Sequence, residues 1–374
     1  MSLDIRNAPE LCVKQGTCYA FYAYDVGATV DLDIAARRLV ADGLKGGRLR
    51  QNRRAPRYFD YQPLPLLITQ EVTLATVGGF QLAPVVDFLI YDFGAISVSY
   101  RIPFSGPFET MRVISCKLTE ETTLLRDSRE RVEALVHALG AAVHRPGVAS
   151  PVEDYAVFQI DGFESAVGAD RLHEVYAQDL ARILRGESEM LSAQEVADAL
   201  ACRLSFGPDD MTLIDWNAAI VFDRDADDVR AVLEFANVEL LEMRYLDHQL
   251  DTALDRSYEA IARDSWWRSL VPGQRGASLR RVSQMQVDGA ILFERVTNAP
   301  KLIGDQYLAR VYRLASQRFH LPEWNATTLR KLDAIESIYK QMHDRAASRR
   351  LEALEWIIIL LIAFEIVLGL TAPR

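Results

Sequence analysis

The sequence has little cysteine, no surplus of positive charge and, over most of its length, no long hydrophobic run. The few cysteines are scattered without a C-x-x-C pair, which argues against a zinc site and favours reduced thiols. The net charge of −10 argues against a general coating of nucleic acid, so we expect no DNA partner. A phosphate-binding glycine loop, an H-E-x-x-H motif and a Ser/His pair are also missing. We therefore expect no metal, no cofactor and no catalytic residues.

The composition is that of a globular protein, with 49% hydrophobic and 25% charged residues over 374 positions, enough for two or three domains. The first residues show neither the apolar stretch of a secretory signal nor the arginine-rich composition of a mitochondrial transit peptide. No apolar run in residues 1–350 approaches the roughly 17–25 residues of a membrane span. We therefore expect most of the chain to lie in the cytoplasm.

The beginning of the chain is predicted to combine strands with a helix. Residues 18–24 (CYAFYAY) are rich in aromatics and indicate a strand, whereas residues 31–42 have apolar side chains at helical spacing. Two further strands, residues 85–91 and 95–101, are joined by Asp92-Phe93-Gly94. This connection is typical of a hairpin turn.

A similar arrangement recurs later in the chain. Asp215-Trp216-Asn217 joins two predicted strands, and both Asn217 and Gly94 tolerate a positive φ at a tight turn. We infer a duplicated β-α-β-β-α unit, with residues 1–146 as the first repeat and residues 147–225 as the second. Two unrelated hairpins that share their turn chemistry are the alternative. The predicted fold class is α+β, with a mostly antiparallel sheet backed by helices.

The pattern becomes purely helical in residues 226–350. Two series of apolar side chains recur at intervals of three and four, one through Leu233 and the other through Leu332. Each series spans at least three heptads, which predicts a coiled-coil-like stalk of two long antiparallel helices. The second helix has no Gly or Pro between Ala326 and Leu368. An ordinary globular bundle is the alternative.

Residues 351–374 contain the longest apolar stretch of the chain. All fifteen residues at positions 356–370 are apolar or Gly except Glu365, and three arginines stand just upstream. This layout predicts a single-pass C-terminal transmembrane helix and a location at the cytoplasmic (inner) membrane. The stretch gives only about 22 Å of helix against a hydrocarbon core of about 30 Å, so burial in an oligomer core is the alternative. Trp356 and Glu365 are the residues expected at membrane or oligomer contacts.

Two pieces of the sequence resemble a known family. They are the C-terminal block Leu354-Glu355-Trp356 with the following IIILLIAFEIVLGL, and the hairpin IYDFGAISVSY. Together they are similar to the required-for-meiotic-nuclear-division family, a domain of unknown function. Since the sequence shows no transit peptide, we expect a bacterial member of it. The resemblance implies no established catalytic activity. It also implies homo-oligomers, since mitochondrial members form large ones in the inner membrane and support translation.

A basic segment follows the first predicted helix. Residues 37–57 contain eight basic residues and one acid, and tyrosine and phenylalanine come directly after them. Basic and aromatic side chains together can hold RNA through phosphates and stacked bases, or can lie on anionic lipid. A solvated loop, which the glycines and Pro56 favour, is the alternative. The candidate contact residues are Arg48, Arg50, Arg53, Arg54, Arg57 and Tyr58.

Taken together, these patterns favour a non-enzymatic, membrane-anchored, oligomeric scaffold. We expect it to position RNA or the translation machinery, such as the ribosome, near the membrane. The alternative is an enzyme that acts on nucleic acid or a nucleotide at a site between the two α+β repeats. A pocket there with clustered carboxylates or histidines would mark the enzyme.

Overall fold

A computed structural model describes residues 11–42, 49–53, 63–72, 76–165, 167–207, 210–262 and 305–371. The chain divides into two compact units. One comprises Met1–Tyr245 with Leu292–Asn325, and the other comprises Leu246–Ile291 with Ala326–Arg374. The four domains predicted from the sequence stay a prediction.

The first unit is built on a mixed sheet. The described strands are β1 (Cys12–Asp25), β2 (Thr29–Val30), β3 (Leu49–Arg53), β4 (Leu66–Glu71), β5 (Val85–Ile90), β6 (Ala95–Pro107), β7 (Val143–His144), β8 (Glu153–Phe163), β9 (Arg203–Leu204), β10 (Met211–Ile214) and β11 (Ala218–Phe222). Nine of them form one sheet in the order β3-β4-β5-β6-β1-β8-β11-β10-β9, and β2 pairs with β7. All pairs are antiparallel except β8 with β11. The predicted α+β class and its mostly antiparallel sheet are confirmed.

Helices cover both faces of this sheet. The described helices are α1 (Leu32–Asp42), α2 (Phe108–Glu120), α3 (Thr123–Leu139), α4 (Ala169–Val175), α5 (Ala177–Arg185), α6 (Ala193–Ala199), α7 (Asp227–Ala262), α8 (Gln306–Arg318) and α9 (Leu321–Thr371). Helices α1, α2, α3 and α5 share a core with one face, and α7 and α8 share a core with the other. The sheet is therefore the middle layer of three.

Strand β1 lies at the centre because its side chains suit burial on both sides. Tyr22 and Tyr24 point to the core that includes α3, where the Tyr24 hydroxyl lies 2.7 Å from Ser128 Oγ. Phe21 points the other way, into the core that includes α7. Aromatic side chains in alternation therefore join both helical layers to one strand.

The two hairpins do not repeat one structural unit. Both turns lie at the same end of the sheet, because Asp25 pairs with Ala95 and Ala156 pairs with Ala218. However, β6 is antiparallel to β1, whereas β11 is parallel to β8. A duplicated β-α-β-β-α unit would keep the same strand direction, so the predicted duplication is wrong for these strands.

The backbone at the two turns also differs. Gly94 has a φ of +99°, as predicted. Among the described non-glycine residues only Arg145 and His320 have positive φ, so Asn217 does not share the conformation of Gly94.

The predicted stalk is wrong for the first part of α7. Phe235, Val238 and Leu241 pack against the end of the sheet, and this stretch of the helix is buried on nearly all sides. A helix that is apolar on several faces belongs in a core rather than in a two-helix seam.

In the second unit, the long helices α7 and α9 contact each other. Lys331 of α9 forms ion pairs of 2.6 Å with Asp247 and Asp251 of α7. Buried apolar side chains lie around these pairs, including Leu250 and Ile335. The unbroken helix predicted between Ala326 and Leu368 is confirmed by α9.

Within the residues that the structure describes, no helix has the combination of length and apolarity that a bilayer crossing requires. The predicted single-pass transmembrane helix and the location at the cytoplasmic membrane are therefore wrong. The physical reason lies in the sequence itself. The C-terminal apolar run is shorter than the hydrocarbon core, and Glu365 interrupts it.

Candidate functional site

The largest exposed apolar surface of the described chain lies on α9. Seven consecutive large apolar side chains, which we call the apolar segment (residues 356–362), are each more than half exposed, and Trp356 is 65% exposed. Successive residues of an α-helix are rotated by about 100°, so seven of them cover the whole circumference. The apolar segment is thus an all-round apolar cylinder rather than a stripe.

Such a cylinder is not a stable surface in water. Monomeric proteins rarely expose contiguous apolar patches larger than a few hundred Å². A helix that is apolar on every side is normally enclosed by other elements. The predicted role of Trp356 in a contact is consistent with its exposure. Glu365 belongs to α9, but the structure does not describe its side chain.

The candidate RNA or lipid residues are described only in part. Arg50 and Arg53 belong to β3, where they pair with Thr69 and Leu66 of β4. The loop given above as the alternative is wrong for residues Leu49–Arg53, which form a strand at one edge of the sheet. The other candidates, Arg48, Arg54, Arg57 and Tyr58, lie outside the described residues. Contact of this segment with RNA therefore stays a prediction.

A small cavity lies where the enzyme alternative expects its site. It is lined from both predicted repeats, among others by Tyr22, Thr119, Asp154 and Asn217. Among the described residues that line it, Asp154 is the one carboxylate and none is a histidine. One carboxylate without a neighbouring base offers no acid–base pair.

A larger cleft of about 870 Å³ lies at the opposite end of β8 and β11. Six aspartates line it: Asp161, Asp210, Asp223, Asp225, Asp228 and Asp305. Several of them accept backbone amides. Asp305 Oδ1, for example, accepts from Tyr307 N at 2.7 Å at the start of α8. No group of three His, Cys, Asp or Glu side chains in the described chain has the arrangement of a metal site.

The acidic run at positions 223–228 includes the start of a long helix. Helix α7 begins at Asp227, so Asp227 and Asp228 place negative charge at its N-terminus. Asp227 also pairs with Arg230 of the next turn at 2.7 Å.

Sequence reasoning missed a group of buried acids. Glu239 and Glu242 of α7 and Asp25 at the end of β1 are almost fully buried. Burial raises the pKa of Glu239 to about 8, although the Tyr312 hydroxyl donates to its carboxyl at 2.5 Å. Burial also raises the pKa of Asp25 to about 7, and raises the pKa of Glu242 well above its usual value with a further contribution from Asp25. The available signal was two glutamates within an otherwise apolar stretch of α7.

A buried ion network fixes the second hairpin turn. The fully buried Asp215 accepts from Arg185 Nε and from Arg318 Nε, each at 2.6 Å. Both arginines also contact Asp198 at the surface. The network therefore joins α5, α6 and α8 to the turn between β10 and β11.

The fold defines an α+β protein in which a mixed nine-stranded sheet lies between two helical layers. Residues 15–228 match the family model described as "Uncharacterized protein MJ0711, N-terminal domain", and the chain belongs to this family. The expected domain of unknown function is confirmed. The comparisons support neither the required-for-meiotic-nuclear-division family nor a bacterial origin.

One relative is the uncharacterized protein MJ0711 of Methanocaldococcus jannaschii, which is 24% identical over 197 residues. The match covers 51% of this chain and 58% of that relative, so the chain spans little more than half of the relative's length. No solved structure matches the chain.

Proposed function

We propose that the protein is a non-enzymatic scaffold that assembles from several copies of itself through the apolar segment of α9. The observation that carries the proposal is the exposure of seven consecutive large apolar side chains around the whole helix. The resemblance of the C-terminal block to a family of homo-oligomers supports it.

The geometry of the apolar segment favours several copies over a single partner helix. One neighbouring helix would bury only the facing half of the cylinder. A symmetric bundle of copies brings one identical segment per chain and encloses all sides of each.

The magnitudes also favour a bundle. Burial of a large apolar side chain contributes about 1.5–3 kcal/mol, and about half of that remains to be gained here because each side chain is about half exposed. Seven such gains amount to roughly 5–10 kcal/mol per chain. Association costs about 4–15 kcal/mol in lost freedom of motion, so a contact that buries only one face would barely offset it.

The proposal is tested by the mass of the full-length protein in buffer without detergent. Sedimentation velocity should show assemblies of the native chain and monomers of a variant with Ile358→Glu and Leu361→Glu. Leu329→Glu is the matched control, because Leu329 is an exposed leucine on the same helix. This control should assemble like the native chain. A native chain that stays monomeric, or a double variant that keeps its assembly, would overturn the proposal.

We further propose that the assembled scaffold holds RNA or the translation machinery through the basic residues around β3. The concentration of arginine at positions 48–57 supports this. The alternative of an enzyme acting on nucleic acid or a nucleotide is the weaker proposal, since the cavity between the predicted repeats has one carboxylate and no histidine.

A further inference from the structure

Two buried carboxyl groups, those of Asp25 and Glu242, lie at one end of the sheet. Asp25 is the last residue of β1, and Glu242 lies on the part of α7 that packs over this end. Glu242 is fully buried, and neither of its carboxylate oxygens has a hydrogen-bond partner among the residues that the structure describes. A buried carboxylate without a partner is strongly disfavoured, so its state requires a physical explanation.

The charged groups around Glu242 do not stabilise the negative charge of its ionised carboxylate. On the sheet side, Asp25 is the charged group that acts on it, and its effect is repulsive. On β8, Glu153 is already paired with Arg244 at 2.6 Å. One turn back on α7, Glu239 accepts from Tyr312 of α8. Among the described residues, no basic side chain forms an ion pair with Asp25 or Glu242.

The missing partner of Glu242 is a proton rather than a metal ion. A hard cation would require more ligands than two carboxyls, and the described residues contain no group of three acidic, histidine or cysteine side chains arranged to hold one. Two neighbouring buried carboxylates also cannot both be ionised without mutual repulsion. Protonation removes the charge and leaves the apolar packing intact.

We propose that Asp25 and Glu242 form a proton-dependent latch, in which the protonated pair holds α7 on the end of the sheet and deprotonation releases it. The contacts that open are those of Phe235, Val238 and Leu241 with Ala23, Tyr91 and Phe93. The Gly27 backbone amide favours ionised Asp25, whereas the Glu242 carboxylate has no hydrogen-bond partner among the described residues.

The direction of the pH effect follows from the raised pKa values. In the unfolded chain both groups ionise near pH 4. The folded state keeps its proton to about pH 7 at Asp25, and burial raises the pKa of Glu242 well above its usual value. The contribution of the latch is therefore fully present below about pH 4 and is lost progressively as the pH rises through these folded-state pKa values.

Hydrogen exchange of the full-length protein tests the latch. Between pH 6 and pH 9, after correction for intrinsic exchange, protection of the amides at positions 235–243 should fall at least tenfold in the native chain. In Glu242→Gln, which mimics the protonated acid, the fall should be smaller, and the part that remains comes from Asp25 and Glu239. Glu189→Gln is the matched control, because Glu189 is exposed in the same unit, and it should behave like the native chain.

Asp25→Asn gives a second route to the same result, should Glu242→Gln not fold. This variant should also flatten the pH dependence. Native protection that does not vary with pH overturns the latch, as does an unchanged pH dependence in both variants. Addition of Mg²⁺ or Ca²⁺ at pH 9 is a further arm. If either ion restores protection, a cation and not a proton occupies the pair, and the proposal fails.

Discussion

Arg318 Nε donates a hydrogen bond of 2.6 Å to the fully buried carboxylate of Asp215. This contact connects the end of α8 to a turn that lies far earlier in the chain. Arg185 of α5 donates to the other oxygen of the same carboxylate at 2.6 Å. Asp215 thus pairs with two arginines that are themselves mostly buried.

Replacement of Asp215 by Ala should therefore destabilise the protein strongly. It leaves two buried guanidinium groups short of their counter-ion, and the loss of one partner from a buried pair costs about 3–5 kcal/mol. Asp198→Ala is the control, because Asp198 binds the same arginines from an exposed position, where an ion pair contributes less than about 1 kcal/mol. Urea unfolding measures both. Equal losses in the two variants would contradict the assigned role of Asp215.

Replacement of Gly94 in the first hairpin turn should also destabilise the protein strongly. Gly94 has a φ of +99°, and a Cβ there would stand 1.8 Å from the carbonyl oxygen of Gly27. Gly94→Ala should lower the free energy of unfolding by about 3 kcal/mol, from backbone strain and from this clash. Gly79→Ala separates the two causes, since Gly79 has a φ of +87° with open space around it. It should cost about 1 kcal/mol in the same thermal or urea unfolding experiment. A larger loss at Gly79 than at Gly94 would refute the clash.

The pH dependence of stability should change when Glu239 is made neutral. Its folded-state pKa of about 8 lies far above the value near 4 in an unfolded chain. The stability that its protonated form provides is thus complete below about pH 4 and is lost as the pH rises to about 8. Glu239→Gln removes this loss, so the variant should gain on the native chain by up to about 1.4 kcal/mol per pH unit in that window.

Tyr312→Phe should act on Glu239 in the opposite direction. The Tyr312 hydroxyl donates to the carboxylate and lowers its pKa, so its removal raises the pKa further. Urea unfolding at pH 5 and pH 9 should show a larger deficit of this variant at pH 9. The same deficit at both values would mean that the hydroxyl does not act on the ionised carboxylate.

Replacement of the basic residues around β3 should reduce the binding of RNA. A full-length variant with Arg48, Arg50, Arg53 and Arg54 changed to Ala should lose most of the RNA that crosslinks to the native chain in cells. Each lost phosphate contact also reduces the dependence of binding on salt. Four exposed arginines elsewhere serve as the control set when changed to Ala: Arg126, Arg310, Arg313 and Arg330. Equal loss in both sets would indicate attraction by charge alone.

Local patterns predicted local structure well. The helix expected at residues 31–42 is α1 at Leu32–Asp42, and the strand expected at residues 18–24 lies within β1. Ser192, just before α6, caps that helix, because its side chain accepts from Glu195 N at 3.2 Å. In each case a few neighbouring residues determine the structure. The direction of β11 beside β8 depends on distant residues, so a likeness between two hairpins could not predict it.

The buried acids were missed for a related reason. The apolar series through Leu233 placed Leu240 in the seam, yet Leu240 is only partly buried while Glu239 and Glu242 are fully enclosed. Spacing along one helix predicts a single buried stripe. Here the sheet, α8 and α9 approach this part of α7 from different sides, which no periodicity in α7 itself reveals.

The C-terminal prediction was correct in part. The sequence identified the apolar run and its unbroken helix, and the structure shows the apolar segment exposed. Its interpretation as a transmembrane helix was wrong. Hydrophobicity alone indicates that a surface must be covered, but it does not identify what covers it.

The central position of β1 has a consequence for how the protein forms. Cys18 pairs with Ile102 on one side and with Phe158 on the other, so the strand has no near neighbour in the chain. Proteins with such distant strand pairings fold slowly, because long loops must close, at a cost in entropy, before the stabilising contacts form. During synthesis the aromatic strand leaves the ribosome long before either partner strand. We therefore expect the nascent chain to need protection of β1, and chaperone association should be strongest before residue 163 has emerged.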